Sequence, residues 1–300
     1  MDASWIESGR RALLASFDAD GWPYRRGGPT AVEATALAAL GLLATDGKRG
    51  PDSRPFIERA ADRLAALQRP DGSLGPTSAI PSPGWATPFA ILLWQALGSH
   101  RDARRRARDW LLAERVDHPP RSADPDRISG HDTSIRGWPW VEGTHSWVEP
   151  TSLALLALGI GTTEHPRVVE ARALLRDRKL AAGGWNYGNT VVFGHALRPQ
   201  PSPTGLALLA LAAAGEERAS LESSLKYLRA ELPGISAASS LGWGILGLRA
   251  WGATPPEADG WLARSARDIA RREDAAPRIG LLLLASGNPG LSAFLPDSMD

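Results

Sequence analysis

The stretch Trp147-Val148-Glu149-Pro150-Thr151-Ser152-Leu153-Ala154-Leu155-Leu156-Ala157-Leu158-Gly159 decides how the chain is read. Proline and threonine at its head and glycine at its end are helix punctuation. Proline needs no N–H partner in a first turn, threonine can accept from one, and glycine closes the last turn. Between them the residues are apolar on every side, which places the helix inside a protein.

The same phrase recurs in both directions along the chain. Segment 31–44 follows Gly28-Pro29-Thr30, segment 90–98 follows Trp85-Ala86-Thr87-Pro88, and segment 205–215 follows Pro201-Ser202-Pro203-Thr204. Degenerate copies occupy 242–252 and 277–287. Each copy has an amphipathic partner upstream with arginines on one side: 5–17, 55–69, 102–115, 167–180, 219–231 and 257–273. Apolar helices belong inside and helices with one charged face outside. The pattern predicts an all-α fold, an α/α toroid built as a double ring of about six outer–inner helical hairpins. An open superhelix of the same pairs is the alternative, and closure is favoured because the inner helices are too apolar to face solvent. One toroid domain is expected over 1–300, with about 288–300 as a C-terminal tail.

Composition narrows the function classes. The chain has 43% apolar residues, 31 glycines, 24 prolines and no cysteine. Disulfides, thiolate nucleophiles and cysteine-ligated metal sites are excluded. A net charge of +1 argues against a nucleic-acid partner. The N-terminus lacks the apolar stretch of a secretory signal, and no apolar run approaches the roughly 20 residues that span a bilayer. A cytoplasmic protein is expected, with peripheral membrane contact left open.

The long Trp- and Gly-rich loops all lie between an outer helix and the start of the next inner helix. They are expected to gather at one mouth, where helix N-termini present unpaired N–H groups and partial positive charge. Such a mouth suits an anion or a held acid. Arg25, Arg26, Arg136 and Arg198 fall in these loops and can hold a diphosphate there or remain solvated.

At this level the chain resembles the squalene–hopene cyclase, terpenoid cyclase and protein prenyltransferase β-subunit superfamily. Leu67-Gln68-Arg69-Pro70-Asp71-Gly72-Ser73-Leu74-Gly75, Asp20-Gly21-Trp22 and Ala182-Gly183-Gly184-Trp185 look like its QW motif. The resemblance spans nearly the whole chain but amounts to one toroid. It implies an apolar central cavity and a small isoprenoid or lipid ligand. Two of the family's chemistries are missing their residues. There is no Asp-x-Asp-Asp acid motif, the nearest matches being Asp124-Pro125-Asp126 and the lone Asp132, and there is no cysteine for a zinc prenyltransferase.

The densest chemistry lies between His131 and Thr151, with three tryptophans, two histidines, three carboxylates and one arginine. Aromatic faces stabilise cations, and a partly buried carboxylic acid can donate a proton. In the cyclase-like reading Asp132 is the acid, Glu149 the second carboxylate, and His131 or His145 a hydrogen-bond partner. Trp138, Trp140, Trp147, Trp185 and Tyr187 line the cavity, and Arg136 and Arg25 bind the substrate's polar end. The structural reading stands beside it: tryptophans wedge hairpins together and Glu149 caps its helix. Histidine and acid spacings show no compact metal set, and no cofactor is implied. A non-catalytic toroid binding a lipid, isoprenoid or peptide partner, and a carbohydrate-active α/α barrel, are the competing functions.

Overall fold

Every apolar phrase forms a helix, and so does every amphipathic partner. The computed structural model describes residues 4–46, 52–113, 130–159, 164–270, 272, 274–287 and 294. Asp124-Pro125-Asp126 and nearly all of the expected tail lie outside them. In chain order amphipathic and apolar helices alternate: α1 (Ser4–Ala15) and α2 (Val32–Asp46), α3 (Arg54–Leu67) and α4 (Thr87–Leu97), then α5 (Arg101–Ala113) and α6 (Val148–Leu158). They continue with α7 (Pro166–Asp177) and α8 (Pro201–Ala213), α9 (Glu222–Glu231) and α10 (Ala238–Arg249), and α11 (Ala258–Ile269) and α12 (Ala275–Ala285). The first member of each pair buries one stripe, as with Trp5, Gly9 and Leu13 in α1 or Ala103, Ala107 and Leu111 in α5. The second member is buried almost all round in α2, α4, α6, α8 and α12.

The apolar helices start earlier than the sequence suggests. α4 begins at Thr87, α6 at Val148 and α8 at Pro201. Their prolines sit inside the first turn, where the missing N–H costs no hydrogen bond. Gly98 ends α4 in the left-handed conformation (φ 65°), as a terminating glycine should. Gly159, expected to do the same for α6, remains right-handed (φ −53°).

The residues group into two compact units. Unit 1 comprises Met1–Leu111, Ile235–Gly242 and Pro255–Asp300, and unit 2 comprises Leu112–Gly234 and Trp243–Thr254. Within unit 1, α2 packs on α12 and α4. The α2–α12 contact is backbone on backbone: a Cβ on Gly41 would lie 2.9 Å from the Gly280 Cα, and one on Gly280 would lie 2.5 Å from the Leu37 carbonyl oxygen. Within unit 2, α6 packs on α8 and α7, and a Cβ on Gly247 would lie 2.8 Å from the Gly205 Cα of α8.

One device recurs at the head of four apolar helices. A buried threonine hydroxyl accepts from the backbone N–H of a loop residue and donates back toward that residue's carbonyl. Thr35 clasps Trp22 (3.0 and 3.1 Å), Thr87 clasps Leu74 (2.8 and 3.4 Å), Thr151 clasps Trp138 (2.8 and 3.4 Å) and Thr204 clasps Trp185 (2.9 and 3.2 Å). Thr87 also donates to the Gly84 carbonyl at 2.6 Å. Each clasp ties a long loop to the helix that follows it, so the loop's conformation is set by two backbone bonds rather than by its own regular structure. Thr151→Val keeps the shape but strands the buried Trp138 N–H, which should cost about 1–3 kcal/mol. Thr151→Ser should recover most of that in urea unfolding. Equal losses in both variants would assign the effect to the methyl group.

Candidate functional site

In unit 2 the loop clasps gather several of the expected residues at the head of α6. Glu149 lies in the first turn, and its Oε1 accepts from the Ser202 hydroxyl of α8 at 3.2 Å. Trp147 stands just before the helix. Its N–H donates to the Trp138 carbonyl at 3.0 Å, and the next N–H, of Val148, donates to the Tyr187 carbonyl at 2.8 Å. The exposed His145 ring leans on the Trp147 indole, with centroids 4.5 Å apart. Gly188 lies under that indole, where a Cβ would come within 2.7 Å of Cε3. His145, Trp147, Glu149 and the Tyr187 backbone are therefore brought together. Trp147 and Glu149 keep part of their surface accessible, and the Tyr187 side chain is exposed.

Trp138 and Trp185 have a different character. Both are buried, at 1% and 0% exposure, so neither offers a face to a ligand. The Arg167 guanidinium sits 4.3 Å from the Trp138 ring centroid and donates to the Gly137 carbonyl, so a protein cation already occupies that indole face. The Trp185 indole N–H donates to the Leu175 carbonyl near the end of α7 at 2.7 Å. In unit 1, Trp22 does the same to Leu13 of α1 at 2.9 Å. These tryptophans bolt a loop to the end of an amphipathic helix, which is the wedge reading. Trp140 is half-buried in its loop.

Asp132 is built into a turn. Its Oδ1 accepts from the Ser134 N–H at 2.9 Å and hydroxyl at 2.6 Å, and its own N–H donates to Asp177 at 3.1 Å. Asp71 makes the same turn with Ser73, at 2.9 and 2.7 Å. The Asp-x-Ser turn is therefore a repeat feature of the loops, and this geometry suits a structural carboxylate better than a proton donor. Arg178 lies beneath it, 5% exposed, donating to the Asp132 and Gly188 carbonyls at 3.3 Å each. Burial pulls its pKa down to about 10, against the pull of Asp177 and Asp132. His131 is buried beside this turn. Arg136 is paired with Glu170 at 3.0 Å.

Unit 1 contains the feature that the sequence reading passed over. Glu33, in the first turn of α2, accepts from the Tyr24 hydroxyl at 2.8 Å. Burial raises the Glu33 carboxyl above its ordinary range, although the Tyr24 bond works the other way. Burial, and then the neighbouring Glu33, raise the Tyr24 phenol well beyond its usual value. A signal for it exists in the repeat. Glu33 stands two residues before the clasping Thr35, and Glu149 stands two residues before the clasping Thr151. Arg25 is exposed nearby. Its neighbour Arg26 lines a pocket of about 350 Å³ between the end of α1 and the start of α12, with Pro23, Arg272 and Ile279. Among the described residues no group of three His, Asp or Glu side chains could hold a metal, and no helix is long and apolar enough to cross a membrane.

No protein-family model matches the sequence, and no curated protein matches it. Solved structures do. A variant of the type II terpene cyclase MstE from Scytonema, in complex with its substrate geranylgeranyl dihydroxybenzoate, aligns with a TM-score of 0.58 at 17% identity. The alignment covers 96% of this chain and 80% of that one. The fold is terpenoid-cyclase-like. ent-Copalyl diphosphate synthase from Streptomyces platensis aligns with a TM-score of 0.54 at 19% identity, over 85% of this chain and 50% of that one. An α-amylase from Clostridium perfringens aligns with a TM-score of 0.60 at 10% identity, over 94% of this chain and 97% of that one. At these identities the likeness establishes the all-α, α/α-toroid fold class expected from the repeats, and nothing of activity.

Proposed function

We propose that this chain acts on an isoprenoid or other apolar substrate by acid-initiated cyclisation or isomerisation. The observation that carries the reading is a repeated placement. Single, partly accessible carboxyls, Glu33 and Glu149, stand at the same repeat position in the first turns of helices that are otherwise buried and apolar. A carboxyl beside apolar surface can move a proton without water competing for it. The terpene cyclases sharing this fold include one whose substrate carries a geranylgeranyl chain.

Glu149, oriented by Ser202, serves as the second carboxylate, which stabilises developing positive charge or takes up the final proton. Trp147 and Trp140 supply accessible aromatic surface in unit 2, with His145, Tyr187 and, for a substrate's polar end, Arg136 from the same loops; Arg25 is the corresponding loop arginine of unit 1, considered by itself. The acid role expected of Asp132, with His131 as its partner, fits the turn geometry poorly.

The likeness to an α-amylase supports a second reading, in which the carboxylates serve carbohydrate chemistry. Mass spectrometry on purified protein incubated with squalene, shorter polyprenes, prenyl diphosphates and maltooligosaccharides separates the two. The expected result is a product isobaric with a polyprene substrate, about 10²-fold or more reduced in Glu149→Gln and retained in Asp132→Asn. Hydrolysis of the oligosaccharides would instead establish the carbohydrate reading. A lipid retained without any turnover would leave a binding protein.

A further inference from the structure

Several carboxylates elsewhere in the described residues are held by arginines. Asp46 pairs with Arg10, Glu170 with Arg136, Glu216 with Arg172 and Arg176, and Asp274 with Arg272 and Arg278. Glu33 is the contrast. Its partner is a phenol, and the two influences on its carboxyl are burial and the Tyr24 hydroxyl. It heads α2, in which every residue from Ala34 to Leu43 is buried and all but Thr35 are apolar or glycine. The residue itself keeps some accessible surface. A buried carboxyl with no cation beside it favours its neutral form. Tyr24 bonds to Oε2, which leaves Oε1 free to hold the proton.

We infer that Glu33 is a proton-donating catalytic residue for an apolar alkene, with Tyr24 as its positioning residue. This rests on the acid-initiated reading above and requires only side chains of unit 1. In the step, the Glu33 O–H bond breaks and its electron pair stays on the carboxylate. The alkene's π pair forms the new C–H bond, and the adjacent, more substituted carbon becomes cationic. Donation from the Tyr24 hydroxyl stabilises the carboxylate as its charge appears. Loss of a proton from the final carbocation and uptake of one by Glu33 from solvent complete the cycle.

The test pairs infrared spectroscopy with turnover on the full chain. At neutral pH the wild type should show the C=O stretch of a protonated carboxylic acid, absent in Glu33→Gln and shifted in Tyr24→Phe. Turnover of the polyprene panel should fall about 10²-fold or more in Glu33→Gln. A third readout is stability against pH. Because Glu33's folded pKa is raised, wild-type stability relative to Glu33→Gln should hold at acid pH. It should then fall as pH rises from the ordinary carboxylate range through the raised value. Among the described residues Tyr24 is the titratable group acting on Glu33, and it stays protonated across that window.

A missing carboxylic-acid band, or one that survives in Glu33→Gln, overturns the inference. Undiminished turnover in Glu33→Gln overturns it while leaving the cyclase reading intact. A wild type with the band but no turnover of any polyprene overturns the cyclase reading, and the donor role with it.

Discussion

Trp185→Ala should cost about 3–5 kcal/mol of folding stability, the range for truncating a fully buried tryptophan. The side chain has no exposed surface, its backbone is clasped by Thr204, and its indole N–H satisfies the Leu175 carbonyl near the end of α7. Alanine would leave a cavity and strand that carbonyl. Trp185→Phe should cost less, because it fills most of the space and loses chiefly the hydrogen bond. Trp147→Ala, at a half-exposed indole, should cost clearly less than either. Urea unfolding of the three variants checks the order. A Trp185→Ala protein as stable as the wild type would contradict the packing role and return Trp185 to the candidate cavity aromatics.

Gly280→Val should also be strongly destabilising. Any Cβ at Gly280 would sit 2.5 Å from the Leu37 carbonyl oxygen and 2.7 Å from the Ala38 Cα, and backbone atoms cannot rotate away as a side chain would. The helices would have to separate along their whole contact. Overpacking of this kind typically costs about 1–3 kcal/mol, and rigid backbone neighbours push it to the upper end or beyond. Gly260→Ala is the matched control. It lies within α11 with nothing within 4 Å of the added Cβ, so it should be neutral or stabilise by up to about 1 kcal/mol. Thermal melts of both variants suffice. Equal melting temperatures for Gly280→Val and the wild type would show that α2 and α12 do not depend on backbone contact.

The helices were legible because burial on every side and burial on one stripe leave different periodicities, as α6 and α5 show. Their first turns were less so, since Pro150 and Pro203 read as boundaries yet fold within the helix. The hairpin pairing Val191–Val192 with His195–Ala196 was invisible: two-residue strands give no alternation, and only Phe193-Gly194, both at positive φ, marks its turn. At the site, Glu149 stood out in a segment crowded with tryptophans. Asp132 drew equal weight because its Asp-x-Ser turn shows itself only when Asp71 is seen making the same bonds. Glu33 was missed because its partner Tyr24 lies nine residues away across a glycine-rich loop, the same loop that Thr35 clasps at Trp22. Periodicity reports burial, whereas a pairing made by loop closure leaves no periodic trace.

The central claim is that a carboxyl proton starts the reaction, and solvent isotope labelling tests it most directly. Wild-type protein equilibrated in D2O and given the polyprene panel should release a product carrying one deuteron from solvent for each molecule formed. A product free of solvent deuterium, or polyprene recovered unchanged while bound to the protein, would contradict the account.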